Sequence, residues 1–198
     1  MTLKSFIFEI LRVSGLKKND KVLLHSNIKP LYRYLIKQNY KFEIRNIADE
    51  VTLRGHKYSS RVINHVQKII PKDIARAMNI NKDMEVAHIL LVHYENDIPI
   101  QIEDRFVDIL FAPEFMKQDF SQITPSAYLS GIAPLQEAEQ VVKAIIPKNS
   151  VSNLLQMDLG QPCLLITRRT WVLSKPVTYG RFFHPGDRYE LAGHYKPL

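Results

Sequence analysis

Apolar residues at positions 3, 6, 7, 10, 11 and 13 of "TLKSFIFEILRV" recur with a helical period, and "SGLKKND" breaks the run. "PLYRYLIKQN" predicts a second, shorter helix. "EIRNIADEVTLRG", residues 43–55, is polar and mixed and leads into a first strand, "SSRVINHVQKII". "PKDIARAMNI" predicts a short helix with Pro71 in its first turn, and "EVAHILLVHY" predicts a strand. "HYENDIPIQIEDRF", residues 93–106, closes a hairpin. After Pro99, Ile100, Ile102 and Phe106 share one face with Asp104, while Gln101, Glu103 and Arg105 line the other. "PEFMKQDF" predicts one or two helical turns. "APLQEAEQVVKAII" carries the clearest helical stripe, Leu135, Ala138, Val142 and Ile145, opened by Pro134 and ended by Pro147. "SVSNLLQM" predicts a short helix capped by Ser150, and "CLLITRRTWVL" with "PVTYGRFF" a second hairpin.

One order recurs. "DIARAMNINKDMEVAHILLVHYENDIPIQIEDRF" and "SNLLQMDLGQPCLLITRRTWVLSKPVTYGRFF" both run short helix, loop, strand, turn, proline, strand. Met78-Asn79-Ile80 aligns with Met157-Asp158-Leu159, and Pro99 with Pro176. The pattern predicts an α+β fold in which two similar halves pair into one antiparallel sheet flanked by helices, with a cleft between sheet and helices.

Charge divides the chain. Of its 198 residues, positions 1–42 hold nine Lys or Arg against Glu9 and Asp20, and positions 43–198 hold 18 of each sign. The net +7 therefore sits in the first fifth of the chain. A basic head suits nucleic acid, with a solvated basic tail as the competing reading; the neutral body needs another partner. No apolar run approaches the roughly 20 residues of a membrane span, the first apolar stretch, "FIFEIL", does not read as a secretory signal, and one cysteine excludes an internal disulfide. A soluble, cytoplasmic protein without a membrane partner is expected.

Catalytic motifs are missing. Glu103 and Asp104, adjacent on a strand, face opposite ways and cannot act as a pair. No HExxH, P-loop, GxGxxG or GxSxG occurs, so no metal, cofactor or catalytic residue is assigned. Cys163 opens an apolar strand and reads as a buried thiol. "QDFSQITPSAYL" can present Thr124, Ser126 and Tyr128 with backbone N–H groups to an anion; an ordinary capped turn competes. "FFHPGDRYELAGHY" turns at Pro185-Gly186 and resumes as a strand, placing His184 at the mouth of the turn, by default at the surface.

Several motifs in order carry a family resemblance: "EIRNIADEV", "RGH", "HYENDIPIQIEDRFV", "QDFSQITPSAYL", "CLLITRRTW" and "VTYGRFFHPGDRYELAGH". Residues 43–198 resemble the UTRA effector-binding domain of the HutC branch of GntR-type transcription regulators. The resemblance implies a chorismate-lyase-like fold that binds a small molecule and is not an enzyme. HutC-type proteins look like repressors of histidine utilisation, released from operator DNA by urocanate; a homodimer is the implied state. Relatives that sense sugar phosphates carry two arginines at the positions of Leu91 and His93, so a phosphate ligand is disfavoured. The implied pocket takes His93, Glu103 and Arg105 from the hairpin, Thr124, Ser126 and Tyr128 from the loop, and Thr178 and His184 from the second half. Hydroxyls, backbone N–H groups or Arg105 suit the urocanate carboxylate, and Glu103 suits its imidazole N–H. His93 and Glu103 share a face only if the hairpin loop holds an odd number of residues, such as Asn96-Asp97-Ile98; a two-residue loop removes one of them. The alternatives are a sensor of another carboxylate or sugar phosphate, and a chorismate-lyase-like enzyme.

"LKSFIFEILRVSGLKKNDKVLL" resembles the first helix and turn of a GntR winged-helix head, but no recognition helix follows. Residues 1–42 read as a truncated or diverged head, and no tight operator binding by this chain alone is expected. A gel-shift assay at physiological salt is expected to show only weak, salt-sensitive, sequence-independent DNA binding; nanomolar, sequence-specific binding would contradict the incomplete head.

Overall fold

The computed structural model describes residues 44–133 and 136–192. The two helices expected before residue 43, and the boundary expected after residue 42, lie outside the described residues. The elements run α1 (Ile47–Leu53), β1 (Tyr58–Ile69), α2 (Lys72–Met78), β2 (Glu85–Glu95), β3 (Ile98–Asp108), a 3-10 turn (Phe115–Lys117), α3 (Pro125–Ile132), β4 (Glu137–Ile145), α4 (Asn149–Leu154), β5 (Cys163–Val172) and β6 (Lys175–Pro185). The strands form one antiparallel sheet in the order β1-β2-β3-β6-β5-β4. Two three-stranded meanders thus meet where β3 pairs β6, the α+β arrangement that the repeat predicts.

The halves match in backbone detail. Each hairpin turns on two residues of positive φ, Asn96-Asp97 and Leu173-Ser174, the combination whose twist suits a two-residue hairpin. Each strand after the turn opens with a bulge: Tyr94 faces Pro99 but His93 faces Gln101, and Trp171 faces Pro176 but Thr170 faces Thr178. The bulges tolerate the prolines, which have no N–H for a regular ladder. Helix ends correspond too, because Asn79 and Gln156 both adopt left-handed φ after their helices, 53° and 51°. Pro99 to Pro176 and Asn79 to Gln156 are each 77 positions, so Met78 is equivalent to Leu155 rather than to Met157. Asp104 lies opposite Arg181 on β6, its own equivalent. The pseudo-twofold axis therefore passes through that pair.

Four local expectations fail. Residues 136–146 do not form a helix; Glu137–Ile145 is the edge strand β4, paired with β5 from Glu137–Trp171 to Ile145–Cys163. The stripe was coincidental: Ala138 is exposed, and Val141, Val142 and Ile145 are β-branched and half-buried against the sheet. Conversely, the polar lead-in to β1 contains α1, capped by the Asn46 side chain accepting from the Ala48 N–H at 3.2 Å. Ser150 lies inside the first turn of α4, whose cap position is Lys148. No strand resumes after Gly186 up to Ala192.

The core is split by the sheet. On one face α2 packs Ile74, Ala75 and Met78 on Val86 and Phe106, and α4 packs Leu155 beside Val92, Ile102 and the buried Cys163. Burial pushes the Cys163 thiol up to about 11, as an inert thiol requires. On the other face Phe115, Phe120 and Leu129 cover Ala87, Ile89, Leu91 and Val107 of the first half. Asp104 of the axis pair is buried on the helix-bearing face and Arg181 is half-buried: Arg181 donates to Asp104 at 2.8 and 2.5 Å, and His88 Nε2 meets the same carboxylate at 2.7 Å. Asp104→Ala leaves both partners without their acceptor. It is expected to cost about 2–3 kcal/mol, read as a lower urea midpoint at unchanged m-value.

Candidate functional site

Gln101, Glu103 and Arg105 occupy the β3 face opposite Asp104, and they are buried, Glu103 at 2% exposure. A carboxylate so enclosed needs partners. His93 Nε2 lies 3.0 Å from Glu103 Oε2, and Arg105 donates through Nε to Oε1. Arg105 also donates to Ser126 Oγ at 2.9 Å, and the Tyr58 hydroxyl meets His93 Nδ1 at 2.7 Å. Burial pushes the Glu103 carboxyl up, but the Arg105 charge and the His93 hydrogen bond outweigh it and hold the group at about 2.

The hairpin loop has two residues, yet His93 and Glu103 share a face. The condition of an odd residue is met differently from the expected three-residue loop: Ile100 is the extra residue, absorbed as the bulge. Without it, the one-residue change of register would turn Glu103 away from His93.

A cavity of about 590 Å³, counted out to its open mouth, lies on this face where the cover of the first half ends. Gln101 and Glu103 form one wall with Ser126, while Arg45 precedes α1, which brings Ile47 and Glu50. The second half contributes Gln140, Ile166, Arg168, Phe182 and His184, and Tyr189 and Leu191 come from the segment after β6. That segment is fastened by Arg188, which donates to the carbonyls of Pro99, Leu155 and Gln156 at 2.9, 2.7 and 3.0 Å. Tyr189 stacks on His184 with ring centroids 3.8 Å apart. A shallow groove on the helix-bearing face, beside Arg76 and Arg169, gathers no comparable set of buried polar groups.

Of the residues expected at a pocket, Glu103, Ser126 and His184 line this cavity, and Arg105 reaches its edge through Ser126. His184 is buried at 2% exposure, not at the surface, because β6 continues past it to Pro185 and Tyr189 covers its ring. His93 stands behind Glu103 rather than on the wall. Thr124 caps α3, accepting from Ala127 N–H at 3.0 Å and donating to Asn46 Oδ1 at 3.0 Å. Tyr128 packs edge-on against Phe115 and Phe120 in the core. Thr178 is engaged with Thr170 at 2.7 Å. Arg168 and Tyr189 were missed, although both lie inside the quoted "CLLITRRTW" and "GDRYELAGH" motifs. Among the described residues no group of three His, Cys, Asp or Glu side chains is placed to hold a metal ion. No helix there is long and apolar enough to cross a membrane.

The UTRA domain family matches residues 53–190. This chain belongs to that family. The histidine utilization repressor of Pseudomonas putida is 47% identical over 154 residues, 78% of this chain and 62% of that relative. The repressor of the same name from Klebsiella aerogenes is 38% identical over 165 residues, 80% of this chain and 66% of that relative. The chain thus spans 62–63% of the length of the histidine utilization repressors of Pseudomonas putida and Pseudomonas aeruginosa, both 47% identical to it. The crystal structure of the C-terminal domain of the histidine utilization repressor from Pseudomonas syringae pv. tomato is 46% identical, covers 71% of this chain and 100% of that one, and superposes with TM-score 0.69. The effector domain of PhnF from Mycobacterium smegmatis shares the fold at 12% identity, with TM-score 0.70 over 77% of this chain and 95% of that one. The curated relatives are named as repressors, not enzymes.

The acid stability of this UTRA domain follows from Glu103. Its folded pKa is depressed from 4.5 to about 2, so its contribution is present above 4.5 and is lost as pH falls towards 2. Glu95, held at about 2 chiefly by its hydrogen bond from Arg54, shares the window. Glu103→Gln is expected to lower stability at neutral pH and to flatten part of the acid limb, read from urea midpoints at a series of pH values. Parallel limbs in the two proteins would contradict this assignment.

Proposed function

We propose that this UTRA domain is the effector-sensing part of a HutC-type transcriptional repressor of histidine utilisation, with urocanate as the effector. The observation that carries this reading is the 47% identity to a histidine utilization repressor over 154 residues. The chemistry of the cavity supports it. Glu103 keeps lone pairs for an imidazole N–H, and the flat ring of Phe182 suits a planar ligand. Hydrogen-bonding groups on opposite walls suit a molecule with one basic and one acidic end.

The repressor acts as a homodimer on operator DNA, and occupancy of the cavity releases the DNA. The route is α1, which lines the cavity with Ile47 and Glu50 and begins shortly after the basic segment 1–42. A ligand that binds one arrangement of α1 better than another shifts the population between them. Homodimerisation and DNA release are parts of this proposal, as is urocanate itself.

Thermal unfolding tests the ligand. At 100 times its dissociation constant a ligand adds about 2.7 kcal/mol, a rise of roughly 5–10 °C for a chain of this size. Urocanate is expected to produce that rise and histidine none. No shift at millimolar urocanate would remove urocanate while leaving the family membership intact.

A further inference from the structure

Arg45 and the half-buried Arg168 line the cavity, and the buried Arg105 reaches its edge through Ser126. Arg105 and Arg168 flank Gly180 in the sheet, one on β3 and one on β5. Their guanidinium carbons lie 5.3 and 4.8 Å from the centre of the Phe182 ring. Gly180 makes this arrangement possible, since a Cβ there would lie 2.7 Å from the Phe182 ring. Arg105 is neutralised by Glu103 and holds Ser126. Arg168 donates through Nε to the Gln140 side-chain oxygen at 2.8 Å. Among the described residues no carboxylate lies within ion-pair distance of its guanidinium.

A second donor stands on the same side. The Gln101 amide nitrogen faces His184 Nε2 at 3.0 Å, so the ring accepts there and carries its proton on Nδ1. That buried Nδ1 has no hydrogen-bond partner. Burial, then the neighbouring His93 and Arg168, drive the His184 pKa down to about 3, so the ring is neutral at physiological pH. Burial and the repulsion of Arg105 bring Arg168 down to about 10, which leaves it charged. A half-buried cation with no counter-ion among the described residues, and a buried N–H without an acceptor, are each states that an incoming anion relieves.

We infer that Arg168, and not Arg105, is the cation that receives the carboxylate of the effector, with His184 beside it as a neutral donor. This rests on the sensing function proposed above and adds a polarity to it. The acidic end of the ligand lies on the second-half wall, its planar body against Phe182, and its N–H-bearing end towards Glu103 and Ser126. Glu50, the other carboxylate on the wall, lies on α1 and also raises the Arg168 pKa from a distance. Swapping the ligand end for end would set its carboxylate against Glu103, which disfavours that orientation.

Calorimetric titration of the 198-residue chain with urocanate and with its uncharged methyl ester tests the assignment. Arg168→Gln is expected to weaken urocanate by on the order of 30-fold or more, with little effect on the ester. Arg168→Lys, which keeps the charge but not the fork, is expected to fall between. Thermal unfolding without ligand checks that each variant is folded. Equal loss for acid and ester, or undiminished urocanate binding by Arg168→Gln, overturns the inference and leaves urocanate sensing standing. trans-Cinnamate, a planar carboxylate without the imidazole, separates the two readings. If the wild-type chain ignores urocanate but binds cinnamate, and Arg168→Gln abolishes that binding, the anion site stands and the urocanate reading falls. If the wild-type chain binds neither, the anion site is refuted.

Discussion

A carboxylate at 2% exposure sets the terms for much of this domain. Glu103 sits on a central strand covered on both faces, where an unpaired charge would cost several kcal/mol. Its neutralisation recruits a residue from each of its surroundings: Arg105 from its own strand and His93 from the strand beside it. Each is held in turn, Arg105 by Ser126 at the start of α3 and His93 by Tyr58 at the start of β1. One buried charge thus ties the hairpin, the edge strand and a helix into a single wall. That wall presents a carboxylate at a place where solvent access ends and the second half begins.

The opposite face of β3 solves the same problem differently. Asp104 is met by His88 and by Arg181, its own counterpart across the pseudo-twofold axis. An opposite-charge pair at the axis joins the two meanders between the crossing contacts of their helices, α2 beside Tyr179 and α4 beside Val92 and Ile102. The shared bulges, positive-φ turns and helix ends show how closely the backbone repeats. The side chains do not. By the 77-residue repeat, Glu103 is equivalent to Gly180, Arg105 to Phe182 and Leu91 to Arg168. A nearly symmetric frame therefore carries one asymmetric site, acidic and internally paired on one side, with Arg168 on the other side free of carboxylate partners among the described residues.

The same asymmetry explains which hydroxyls are free to meet a ligand. Thr124 satisfies two helix ends at once, through Ala127 N–H and through Asn46, the cap of α1. Thr178 is bound to Thr170, and Tyr128 completes an aromatic cluster. Only Ser126 of the loop reaches the cavity wall. The cover of the first half is complete, whereas the second half is closed by the short segment that Arg188 fastens. The cavity lies where those two kinds of cover meet.

The sequence by itself determined the class of fold, the twofold repeat, the family, and the row of Gln101, Glu103 and Arg105 on one strand face. These are local or periodic properties: alternation in a strand, turn residues, the order of motifs. Tertiary structure alone decided that 137–145 is an edge strand, since nine ladder positions against β5 outweigh a stripe that no helix partner buries. The repeat contained the hint, because β1 precedes α2 and its counterpart must precede α4. Tertiary structure also decided that His93 joins Glu103, that His184 is buried, and that Arg168 and Tyr189 belong to the cavity. Which face a side chain takes depends on the bulges at Ile100 and Val177 and on pairing between strands up to 83 positions apart, as Gln101 and His184 show. Spacing along the chain records the period of a strand, but not the partner that fixes its register.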